Sequence, residues 1–416
     1  MPEFARPMHD TWLLAGARTP WVDYCGALAA VSPTDLGIHA ARAAIERSGL
    51  PASAIGASVV ASMAHADFDA YVLPRHVGLY AGLDIAAPAI GVQRICGSGF
   101  EVLRQAADQI ALGYADAVLA VGTESMSRNP ICAYTHRSGF KLGAPVEFKD
   151  FLWEALDDPA ARVSMIQTAE NLARQYGIRR EAVDAYAARS FDRALHAQSQ
   201  GWLAAEIAPV TAQRFGREGY HDRALRLPRK VEALAQDTHP KPSPAAVLAG
   251  LRTVYEGGVQ TAGNSAALVD GAAAMVVGNG EVMRQSGRAP LARLAGASAA
   301  GVPPEIMGIG PVPAIRQLLT AYGLTMADIA LVEINEAQGA QVLACAQALA
   351  LDENRLNVNG GSIALGHPLA ATGLRLTLTA ALELQRRNER YAVVSACVGG
   401  GQGMALLIEN PDYCKA

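Results

Sequence analysis

The apolar positions of this chain fall in short blocks whose spacing switches between strand and helix. Trp12–Gly16 is a brief apolar run. Ser32-Pro33-Thr34-Asp35 then reads as a helix start, with Ser as the cap, Pro at the first helical position and an acid two residues on. That helix is expected to end near Gly49. Val59–Ser62 reads as strand, Tyr71–Ala81 as helix and Ala89–Val92 as strand. After the turn Cys96-Gly97-Ser98-Gly99, residues Phe100, Leu103, Ala107 and Ile110 fall on one helical face. Gly113 stops that helix, and Ala117–Val121 has the continuous apolar character of a buried strand.

The grammar then breaks. Residues 129–252 are polar and Pro-rich, with helical stretches at Gln167–Tyr176 and Arg180–Ser199 and an Arg- and Pro-rich loop at Arg214–Pro244. This stretch reads as an insertion. Strand character resumes at Gly271–Val277. A second half follows in the same order: strand at Leu291–Gly296, helix at Val312–Tyr322, strand at Ile329–Glu333, helix at Ala337–Leu349, a short strand at Leu356–Asn359, a Gly-rich turn, a helix marked by Leu374, Leu378, Ala381 and Leu382, and strand at Tyr391–Ala396. Both halves run β-α-β-α-β-turn-α-β, which predicts a duplicated α/β architecture. The expected division is 1–128 plus 253–285, an inserted 129–252, and 286–416.

Length supports two units, because 416 residues exceed the roughly 250–300 at which one core stops growing. A charged content of 18% against 51% hydrophobic residues excludes a disordered chain. The net charge of −4 gives no basic excess for nucleic acid. No run of 18 apolar residues predicts a membrane span. The opening residues carry Glu3, Arg6, His9 and Asp10 without an apolar stretch, so no secretory signal is expected. The six scattered cysteines form no CxxC pair, which points to a reducing, cytoplasmic setting without a disulfide framework or zinc site. His65, His76, His136 and His196 lack metal-ligand spacing and read as structural or solvated, so no metal is expected.

Four sites lie where strands end and helices begin, the place where open α/β sheets bind ligands. Cys96 precedes a helix; there it is either a nucleophile with a lowered pKa or a small buried hydrophobe. His367, in Gly360–Pro368, occupies the corresponding turn of the second half, as a proton acceptor for a thiol or a structural cap. Cys397 opens Cys397-Val398-Gly399-Gly400-Gly401, whose bare N–H groups suit an oxyanion or merely make a tight turn. Asn335 follows a strand; taken alone, it is a helix cap.

In combination these motifs resemble the thiolase family over nearly the whole chain. The motifs are Cys96–Gly99, Gly122-Thr123-Glu124-Ser125-Met126-Ser127, Thr261–Ser265, Met307–Ala314, Asn335–Ala337, Gly360–Pro368 and Cys397–Gly403. Arg75–Leu79 and Phe148–Leu156 resemble the mitochondrial type of 3-ketoacyl-CoA thiolase and its bacterial relatives. The resemblance implies a duplicated αβαβα five-layer fold with an inserted loop domain that binds coenzyme A. It implies no tightly bound cofactor, coenzyme A as co-substrate, CoA thioesters as partners, and a homodimer or homotetramer, alone or in a β-oxidation complex. It assigns Cys96 as acyl-accepting nucleophile, His367 as its base and Cys397 as the acid/base for the α-carbon. It assigns Asn335 to a water in one oxyanion hole, and the N–H groups of Cys96 and Gly399 to the other. Met165, Lys241, Ala262, Ser265, Met307 and Gln338 fall at substrate and CoA positions.

Departures from the family pattern concern specificity. Gln93 stands where Asn is usual, Gln338 where Phe is usual, Gly339 where Ala is usual and Ala370 where Gly is usual. Lys241 aligns with a CoA-binding Arg, and Ala266 with a Ser that contacts pantetheine. None removes a catalytic group, and Gln338 makes the acyl wall more polar. Within the same fold the alternative is a ketosynthase-type condensing enzyme, against which Cys397 argues. From another class, the alternatives are a non-catalytic CoA- or lipid-binding subunit and a simple thioester hydrolase.

Overall fold

The computed structural model describes residues 5–64, 66–134 and 136–414. His65 lies outside them. The first half comprises β1 (Trp12–Arg18), α1 (Pro33–Ser48), β2 (Ala57–Ala61), α2 (Leu73–Ala81), β3 (Ala89–Gly91), α3 (Ser98–Ala111) and β4 (Ala117–Ser125). Two longer helices follow, α4 (Met165–Tyr176) and α5 (Arg180–Ser199), before β5 (Val269–Gly278). The second half has β6 (Ala292–Gly301), α6 (Pro311–Tyr322), β7 (Leu331–Ile334), α7 (Gly339–Ala348), α8 (Leu369–Arg387), β8 (Tyr391–Val398) and β9 (Gln402–Glu409).

The local signals act as read. Ser32 Oγ accepts from Asp35 N–H at 3.1 Å, Pro33 is the first helical residue, and Gly49 closes α1 at φ +77°. The duplication is explicit in the pairing. The first half orders its strands β1-β5-β4-β2-β3, and the second β6-β9-β8-β7. In each, the first two junctions are antiparallel and the third is parallel. The expected strand at Leu356–Asn359 is reduced to one parallel bridge, Val332↔Leu356, at the place β3 occupies in the first half. Strand β9 was not anticipated; it folds back on β8 through Gly399–Gly401, with Cys397 opposite Gly403. The halves join at Leu13↔Ala292 and Trp12↔Arg293.

Helices α3 and α8 run side by side between the halves, α3 on β4 and β2, α8 on β4, β5, β7 and β8. Helices α1 and α2 cover one outer face, while α6 packs on β6 and β9 on the other. This is the duplicated five-layer α/β arrangement. Close approach of the central helices requires glycine. A Cβ on Gly99 would lie 2.7 Å from Gly373 N, and one on Gly122 would lie 2.0 Å from Ala370 O. Among the described residues, no helix is long and apolar enough to cross a membrane.

Candidate active site

Cys96 sits in a short 3-10 turn, Ile95–Gly97, immediately before α3. The preceding Ile95 has φ +41°, a conformation that costs a β-branched residue energy. Ser98 Oγ accepts from Arg94 N–H at 2.8 Å and pins the turn. The thiol is only 8% exposed and packs among Met126, Leu152 and Leu369. The N–H groups of Gly399 and of Cys96 itself are directed at its sulfur. One of the two sequence readings of Cys96 is a lowered thiol pKa at a helix start. Instead, burial pushes Cys96 up to about 12, outweighing both N–H bonds, with the Glu124 carboxylate adding in the same direction.

His367 precedes α8, the counterpart of α3. Its Nδ1 lies 2.6 Å from Thr372 Oγ1, and the threonine hydroxyl donates to Pro368 O at 3.2 Å. On the other side, Asn335 Nδ2 donates to His367 Nε2 at 3.3 Å, and Asn335 Oδ1 accepts from Ser362 Oγ at 2.7 Å. The direction of this chain assigns the proton to Nδ1 and leaves Nε2 as the acceptor. Burial, aided by the Arg375 charge, lowers His367 to about 3, so the imidazole is neutral at physiological pH. Asn335 is not the helix cap expected of an isolated Asn; Gln338 takes that position ahead of α7.

Cys397 lies inside β8, fully buried against Met307, Ala337 and Met165. Burial raises its thiol pKa, with the neighbouring Cys96 and Cys345 contributing. The structure thus groups Cys96, Gly399, Cys397, Met165 and Met307 from both halves and the intervening segment, and holds Asn335 on His367, two residues before the Leu369 that packs on Cys96. Ser265 pairs with Gln338 across a bridge, and Ser265 Oγ reaches Gln260 at 3.4 Å. Among the described residues, buried Gln338 Oε1 has no hydrogen-bond partner. Lys241 and Ala262 lie on the surface. Of the histidines set aside earlier, the three within the described residues have partners: His76 meets Asp69 at 3.1 Å, His136 meets Ala133 O at 2.9 Å, and His196 packs edge-on to Trp202.

Sequence reasoning missed the residues that support this group. Thr372 and Ser362 complete the imidazole chain. Glu336 accepts from Tyr186 at 2.8 Å, Ser190 at 2.7 Å, Asn357 at 3.0 Å and Ile363 N–H at 3.1 Å, tying α5 to the loop that carries His367. Glu124 was quoted within a motif but given no task. The only available signal was a carboxylate at the end of an otherwise apolar strand.

The family profile "Thiolase, N-terminal domain" matches residues 11–281, and "Thiolase, C-terminal domain" matches residues 288–410. The chain is 40% identical over 405 residues to the mitochondrial 3-ketoacyl-CoA thiolase of Bos taurus, covering 97% of this chain and 99% of that protein. It is 37% identical to a beta-ketoadipyl-CoA thiolase of Acinetobacter baylyi, covering 97% and 100%. The crystal structure of human mitochondrial 3-ketoacyl-CoA thiolase in complex with CoA superposes with a TM-score of 0.91 at 38% identity, over 99% of this chain and 100% of that one. With both halves matched and the length shared, the chain belongs to the thiolase family, whose members are CoA-dependent acyltransferases.

Proposed function

We propose that this thiolase cleaves 3-ketoacyl-CoA with free CoA, or runs the reverse Claisen condensation, through an acyl group carried on Cys96. The observation that supports this most directly is a buried neutral thiol, with the N–H groups of Cys96 and Gly399 directed at its sulfur, together with a neutral imidazole whose unprotonated Nε2 accepts from Asn335. Cys96 Sγ bonds to the ketone carbon as its proton passes to His367 Nε2. The N–H groups of Cys96 and Gly399, and the Asn335 side, receive oxyanion charge. The carbon–carbon bond then breaks, and its electron pair becomes the acetyl-CoA enolate. The Cys397 thiol protonates the α-carbon, leaving an acyl thioester on Cys96. Free CoA gives its proton to Cys397 and attacks that thioester. Cys96 leaves as thiolate and recovers its proton from His367.

The inserted 129–252 is the segment proposed to hold CoA, with Lys241, Ala262 and Ser265 toward the nucleotide and pantetheine, and Met165, Met307 and Gln338 toward the acyl chain. The edge strand β3, with Ile90 46% exposed, suits pairing with a second copy in a homodimer or homotetramer. Six unpaired cysteines suit a reducing, cytoplasmic location.

A cleavage assay over 3-ketoacyl-CoAs of rising chain length, with one carboxylate-ended chain, tests the reading. Cleavage should require CoA and yield acetyl-CoA plus the shortened acyl-CoA. Thioester loss without CoA would make the protein a hydrolase instead.

A further inference from the structure

Glu124 closes β4 and is 1% exposed. Its Oε1 accepts from Ala64 N–H at 3.1 Å. Its Oε2 accepts from two groups at once, Met63 N–H at 3.1 Å and Ala370 N–H at 3.2 Å. These donors come from opposite sides of the site. Ala370 is the second residue of α8, three after His367, so Glu124 caps the histidine helix from another half of the molecule. Met63 receives Ser98 O–H on its sulfur at 3.3 Å, and Ser98 opens α3 two residues after Cys96. Gly122 lies against Ala370 O so closely that no Cβ fits, which fixes the distance between β4 and α8.

We propose that Glu124 is a positioning residue that sets Cys96 and His367 in register, one carboxylate oxygen tying the start of the histidine helix to the loop that braces the cysteine turn. This rests on the reading of Cys96 and His367 as nucleophile and base. Three N–H donors favour the ionised acceptor. Burial and the nearby Asp270 charge oppose this ionisation and raise Glu124 to about 7. Among the described residues, the charged or titratable groups facing it are Asp270 and the Cys96 thiol, whose ionisation it disfavours. Glu124 therefore acts in two opposite senses. Its geometry serves turnover, while its charge adds to the burial that keeps the resting Cys96 a thiol.

The variant E124Q separates these effects. An amide can accept at only one of the two oxygen positions, so at least one tie is lost. Turnover in thiolysis should fall by about 10²-fold, the scale of a small misplacement of reacting groups. Alkylation of Cys96 by iodoacetamide, followed against pH, should meanwhile move to lower pH. Parent-like turnover, or reduced turnover with an unmoved alkylation curve, would overturn the proposal. E124D serves if E124Q does not fold: it keeps the charge but falls short, so turnover should drop with the alkylation curve in place, and parent-like turnover again counts against the proposal. C96A run alongside isolates the underlying reading, because an active C96A would sink the site assignment whatever Glu124 does.

Discussion

Gly99 and Gly373 touch backbone to backbone where α3 crosses α8, with a Cβ on Gly373 only 2.5 Å from Phe100 N. The contact brings the helix carrying Cys96 at its start beside the helix that follows His367. Backbone atoms on both sides leave nothing to rotate away. Gly373→Ala should therefore overpack the crossing, costing about 1–3 kcal/mol, and should lower turnover more than it lowers CoA binding. Denaturant unfolding together with kcat and KM checks this; an unchanged kcat would show that the crossing does not set the site.

Acetyl-CoA alone should load one acetyl group onto the protein. Intact mass should show the adduct, and peptide mapping should place it on Cys96. A label on Cys397 would reverse the two roles.

Titration of His367 gives a stability signature. The folded imidazole is held down to about 3 from an ordinary 6.5, so the unfolded chain binds the extra proton between those values. Stability assigned to this group is intact above pH 6.5 and is lost as pH falls toward 3. H367N, which does not titrate, should lose less stability than the parent over that window, read from denaturant midpoints. The same group serves as a base: H367A should slow both turnover and Cys96 alkylation, turnover by about 10²–10⁴-fold. Alkylation unchanged in H367A would mean that the thiolate forms without the imidazole.

Cys397 should act on carbon-bound hydrogen and not on acyl transfer. C397A should still accept acetyl from acetyl-CoA at Cys96, yet fail to cleave 3-ketoacyl-CoA. Deuterium uptake into the acetyl-CoA methyl in heavy water isolates the step, and exchange at the parent rate would assign the proton to another group.

Arg18 is buried, with both terminal nitrogens on Asp237 at 2.6 and 2.8 Å and Nε on Glu206 at 2.7 Å. These acids belong to the segment between β4 and β5, so the ion pair anchors that segment on β1. D237N leaves the guanidinium partly uncompensated and should cost about 3–5 kcal/mol, seen as a lower unfolding midpoint. A change of less than about 1 kcal/mol would mean that Glu206 alone satisfies the arginine.

The sequence by itself determined what neighbouring residues decide. The Ser32-Pro33 start and Gly49 stop of α1 are set by caps a few residues apart, and α5 spans Arg180–Ser199 as its polar and apolar spacing foretold. The duplicated order of the halves was equally legible, since each strand and helix carries its own period. Tertiary structure decided the rest, because it depends on which distant groups desolvate or satisfy one another. Strand β9 hid behind a run of glycines and exists through its pairing with β8 and β6. Cys96 lies before a helix, as read, but its pKa rises because side chains from separate segments exclude water from it. Glu124 shows the same limit: its three partners lie 60, 61 and 246 residues away. Only the fold brings those N–H groups to a carboxylate that water has left.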